Sequence, residues 1–94
     1  MSDDGRARAA AAISSEGLDY LNWYESRTPR PYEAGIVPVD GGWRVYVTDE
    51  RAAWEDYNPV VHADEDAALD DFLVRLRRMN RIVASRSQQG PLIR

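Results

Sequence analysis

The 94-residue sequence has no cysteine and a single histidine. Without cysteine there is no disulfide, no thiolate metal ligand and no thiol nucleophile, so stability must come from packing alone, which suits a reducing compartment. His62, with carboxylates nearby at Asp64 and Asp66, falls short of the three or four convergent ligands that a metal needs. It reads instead as the end of a strand, bonded to backbone beside a helix cap. No apolar run approaches the ~20 residues required to span a bilayer, and Met1-Ser2-Asp3-Asp4-Gly5 lacks the basic-then-apolar pattern of an export signal. The expectation is a cytoplasmic protein with no membrane contact. No glycine-rich phosphate loop follows a strand, because Gly41-Gly42 joins two strands, and no cofactor is expected.

Sixteen acidic residues stand against twelve basic ones, all arginine, for a net charge of −4. That balance works against binding phosphate backbones. The arginines near the C-terminus do not form one stripe: at 100° per residue Arg75 and Arg78 fall on one flank, Arg77 and Arg81 on another, with no interleaved aromatics. Contacts from Asp71 to Arg75 and the helix dipole account for them, and no nucleic-acid partner is expected. The carboxylates crowd a helix start and a loop rather than facing each other across a cleft, so the chain does not read as an enzyme.

The length suits one domain over residues 1–94, with residues 1–8 as a frayed leader and 87–94 as a tail. Helical composition runs from Ala9 to Arg27, with Ile13, Leu18, Leu21 and Tyr24 near one face, a weak joint at Gly17 and an end near Ser26. Thr28-Pro29-Arg30-Pro31 stops it. Residues 35–39 and 43–48, joined by Asp40-Gly41-Gly42, form a β-hairpin, and a third strand at 58–62 completes a meander. Pro38 and Pro59 belong on edges, which places the Trp43 strand centrally with Trp43, Val45 and Val47 facing the helices. A last helix over 65–86 starts at the cap Asp64 and carries the stripe Leu69, Phe72, Leu73, Leu76, Met79 and Val83. The expected architecture is α+β: a three-stranded antiparallel meander packed by an N-terminal and a C-terminal helix.

One segment has an unusual composition. Between Asp49 and Phe72 lie nine acidic residues, Arg51 is the only basic one, and Trp54 and Tyr57 are interleaved with Glu55 and Asp56. Two readings stand side by side. The rings fold back onto the sheet, or they project with an acidic rim, as a tight interface to a cationic partner would require. On the second reading the partner-binding residues are Asp49, Glu50, Arg51, Trp54, Glu55, Asp56, Tyr57, Asp64, Glu65 and Asp66.

The string Trp43-Arg44-Val45-Tyr46-Val47-Thr48-Asp49-Glu50-Arg51, followed by Val60-Val61 and by the acidic helix start from Asp64 to Leu73, resembles small immunity proteins of bacterial polymorphic toxin systems. The likeness covers residues 35–76, omits the N-terminal helix, and departs at Ala52, where glycine is expected after the Glu-Arg pair. The resemblance implies a non-catalytic protein made beside a secreted toxin, whose cationic toxin domain it binds and blocks. Glu50 and Arg51 fall on the family's paired motif, either touching the toxin or bracing the turn by an ion pair. The alternative is a general interaction module or homodimeric accessory subunit, assembled through an exposed edge strand or the first helix.

Overall fold

A computed structural model describes the backbone of residues 2–51 and 59–92, and side chains within 4–51 and 59–85. The order of elements is α1 (Ser2–Glu16), β1 (Leu21–Trp23), β2 (Ala34–Val39), β3 (Gly42–Val47), β4 (Val60–His62) and α2 (Glu65–Leu92). The class is α+β, as expected, but the sheet has four strands in the order β1-β2-β3-β4 and is mixed. β2–β3 and β3–β4 are antiparallel, whereas β1 runs parallel to β2. The three-stranded antiparallel meander is therefore one strand short.

The missing strand lies in the segment read as helix. α1 stops at Gly17, where φ is +63°. The Leu18 amide donates to the Ile13 carbonyl at 3.0 Å and the Gly17 amide to that of Ser14 at 3.3 Å, the paired bonds of a glycine C-cap. Leu18 and Ile13 both pack on the core, which anchors that cap. Tyr20 and Tyr24 then take positive φ of 66° and 64°, bracketing β1 with conformations that no helix allows. The helical spacing of Leu18, Leu21 and Tyr24 was a coincidence of period over three residues.

At its other end α1 extends back to Ser2, so residues expected to fray form its first two turns, with Gly5 and Ala9 buried. α2 likewise runs through Gly90-Pro91 to Leu92. Gly90 has no Cβ to clash with the proline ring, and a proline near a helix end forfeits one hydrogen bond. The two helices run in the same direction: Arg6 pairs with Glu65 at one end and Glu16 with Arg77 at the other.

The hairpin forms as expected, but Gly42 belongs to β3 and pairs with Val39, so the connection is the two residues Asp40-Gly41 rather than three. Of the turn pair only Gly41 has positive φ, at 84°. Trp43, Val45 and Val47 do face the helices. Val45 is fully buried with Ala34, Ile36, Ala68, Leu69, Phe72 and Leu76, and Trp43 and Val47 pack on that cluster half-exposed. Phe72 and Trp23 meet with ring centroids 5.8 Å apart.

Parallel neighbours need a return crossing, and residues 24–33 make it without a helix. The strap bends at residues 24, 27, 31 and 32 and brings Arg30 and Glu33 against Thr48 and Tyr46 on the side of β3 away from Val45. That placement gives Tyr46, on the far side from Val45, a covered environment only 2% exposed.

Candidate functional site

Thr48 follows β3 and is buried; its hydroxyl donates to the Arg30 carbonyl at 2.6 Å and accepts from the Glu33 amide at 2.9 Å. Asp49 follows, half-buried, with its carbonyl accepting from the Tyr32 amide at 3.1 Å. Its Oδ1 accepts from the Arg51 amide at 2.8 Å, so a carboxylate-to-backbone bond holds this turn. Among the described residues no ion pair joins Glu50 to Arg51, and both are exposed. The brace comes from Asp49. Trp54, Glu55, Asp56 and Tyr57 lie outside the described residues.

The second acidic group begins α2. Asp64 is exposed and caps the helix as expected, its Oδ2 accepting from the Ala67 amide at 2.9 Å. Glu65 points inward and is 4% exposed. It accepts from Arg6 Nε at 2.7 Å and from the Tyr24 hydroxyl. The Arg6 guanidinium also sits 4.8 Å from the centroid of the Tyr24 ring. Burial and then the Glu65 carboxylate push the Tyr24 hydroxyl far above its usual range, and the bond to Glu65 raises Arg6. Asp66 is half-buried, and its Oδ1 has no hydrogen-bond partner among the described residues. That oxygen lies under Gly5, where a Cβ would stand 2.2 Å away.

These two groups lie toward opposite ends of β3. Trp43 pairs with His62, next to Asp64, while Asp49 lies beyond the other end of β3. At ~3.3 Å per residue the strand separates them by roughly 20 Å. Of the residues proposed for partner binding, Asp49, Glu50 and Arg51 cluster at one end of the sheet, Asp64 is exposed at the other, and the Glu65 carboxylate is spent within the fold.

His62 differs from expectation in its partner. Its Nε2 lies 2.8 Å from Asp71 Oδ2, a side chain rather than backbone. Arg75 Nε donates to Asp71 Oδ1 at 2.8 Å, the contact expected from the spacing. Burial alone would raise the Asp71 carboxyl, but the bonds from His62 and Arg75 outweigh it and hold the group below its usual range. Among the described residues no cluster of histidine and carboxylates is arranged to hold a metal, and no helix is long and apolar enough to cross a membrane.

The most enclosed polar cluster was not anticipated. Asn22, Glu33, Tyr46 and Thr48 are all buried where the strap crosses the sheet. Asn22 Nδ2 donates to the Tyr46 hydroxyl at 2.9 Å, and that hydroxyl donates to Glu33 Oε1 at 3.1 Å. Glu33 also accepts from the Arg30 amide at 3.1 Å and from the Arg27 guanidinium. The bonds of Glu33 and Thr48 in this network pin residues 30–33 to the sheet. Gly35 was the available signal, because a glycine inside a strand marks a close approach.

Comparison of the chain with family models, with curated proteins and with solved structures finds no match.

Proposed function

We propose that the chain is a non-catalytic binding domain that captures a cationic protein, in the manner of the immunity proteins its sequence resembles. The observation that carries this reading is how the acidic, aromatic segment is mounted. Residues 49–51 leave the central strand through a turn fixed by Asp49, Glu50 is exposed there, and the chain re-enters at Pro59 and the short edge strand β4. A departure point fixed in this way lowers the cost of ordering a binding loop, and the negative charge of the segment speeds encounter with a cationic partner. The binding surface on this reading is Asp49, Glu50, Arg51, Trp54, Glu55, Asp56 and Tyr57. Asp64 lies roughly 20 Å along β3 from this group, and the Glu65 carboxylate is taken up by Arg6 and Tyr24.

The test is growth rescue. The product of the adjacent reading frame is expressed in the cytoplasm with and without this chain, and restored growth with co-purification of the two products is the expected result. A harmless neighbour, or toxicity unchanged by co-expression, removes the proposal.

A further inference from the structure

The inner face of α2 is committed to the sheet and one flank to α1, but its outer face is not. Asp70, Val74, Arg78 and Arg81 share that face at helical spacing and are all exposed, Val74 at 63%. Arg75 and Arg77 are bonded to Asp71 and Glu16. Asp70, Arg78 and Arg81, by contrast, have no oppositely charged residue three or four positions away, and they form no ion pair among the described residues. Arg78 has Arg75 and Arg81 as its neighbours on the helix, a repulsive spacing. The fold therefore leaves these charges uncompensated around the most exposed large apolar side chain among the described residues.

Their order is self-complementary. A two-fold axis passing beside Val74 and perpendicular to α2 lays two copies of the helix antiparallel. Val74 then meets Val74, each Asp70 faces Arg78 of the other copy, and Arg81 faces the small, exposed Ala67. The open depression between Arg78, Arg81, Ile82 and Ser85, about 410 Å³, receives the first turns of the opposing helix. We infer that the outer face of α2 is a weak, salt-sensitive homodimer interface, in which Asp70 and Arg78 pair reciprocally around Val74. Charge order favours a second copy over an unrelated partner, because a single-sign ligand would satisfy one end of the stripe and repel the other. The interface is a single helix pair, smaller than that of a stable dimer, so association is concentration-dependent.

The experiment is sedimentation equilibrium on the full chain, with helicity checked by circular dichroism. Asp70→Arg and Arg78→Asp are each expected to weaken self-association about tenfold or more, since each turns two attractive contacts repulsive. The double variant, and an equimolar mixture of the two single variants, are expected to dimerise again. Val74→Cys is expected to give a disulfide-linked dimer on oxidation, in a chain that has no other cysteine. A wild-type chain that stays monomeric at every concentration, or a dimer indifferent to both reversals, overturns the inference. So does a double variant that behaves like the singles.

Discussion

The ring of Tyr46 fills the space where a side chain on Gly35 would begin: a Cβ at residue 35 would stand 2.3 Å from the ring's Cζ. The two residues are partners across β2 and β3, and Asn22 is the partner of Gly35 across β1 and β2. Glycine in β2 thus lets tyrosine on one side reach asparagine on the other, and the hydroxyl between Asn22 and Glu33 ties β1 and β3 to the strap. Gly35→Ala is expected to cost about 1–3 kcal/mol by overpacking. Adding Tyr46→Leu should recover part of that loss, a non-additivity read from denaturant midpoints. A Gly35→Ala protein within ~0.5 kcal/mol of the parent would mean that the ring does not lie there.

Alkaline pH addresses two tyrosine hydroxyls. Burial and the Glu65 carboxylate raise the Tyr24 hydroxyl above its ordinary 10.0, and burial also raises Tyr46. In the unfolded chain both ionise at the ordinary value, so their contribution is fully present below pH 10 and lost as pH rises through the folded values. Unfolding midpoints should fall as pH rises above about 10, and Tyr24→Phe should make that fall shallower. An equally steep fall in the variant contradicts the assignment.

Acid pH has a different determinant. His62 and Arg75 hold the Asp71 carboxyl below its ordinary 3.8. A lowered carboxyl contributes stability that is fully present above the unfolded value and lost as pH falls through the folded one. Asp71→Asn should therefore be less stable than the parent at neutral pH, with the gap closing below about pH 4. A gap independent of pH would show that the ion pairs contribute nothing measurable.

Tyr20 is a strained position with little to hold it. It is 45% exposed and has a φ of +66°. Glycine there relieves about 1–2 kcal/mol of left-handed strain against about 0.5–1 kcal/mol of added unfolded-state entropy. Tyr20→Gly is thus expected to be neutral or stabilising in thermal unfolding, while Tyr20→Ala gains no such relief. Marked destabilisation by glycine would reveal a role for the ring.

Much of this architecture was legible in the residues because local chemistry specified it. Asp40-Gly41 set the hairpin, Asp64 the helix cap, the 69–83 stripe the buried face of α2, and the alternation from Trp43 the inward face of β3. The strand at Leu21–Trp23 was not legible. Three residues carry no periodic signal, and its existence depends on pairing with β2, which only the folded chain provides. The same holds for Glu65. A first-turn glutamate satisfies the helix dipole whether it faces solvent or not, and nothing local announces that Arg6 and Tyr24 will meet it. The acidic run looked continuous in sequence, but the length of β3 divides it in space.

The most direct test of the proposed capture of a cationic partner is the association rate with the product of the adjacent reading frame, the partner this proposal requires, at low and high salt. Reversing Glu50, Glu55 and Asp56 to lysine should slow association several-fold or more at low salt, with a smaller change in dissociation and convergence of the rates as salt screens the charges. An association rate unchanged at low salt, with the variant folded, contradicts the electrostatic capture mechanism.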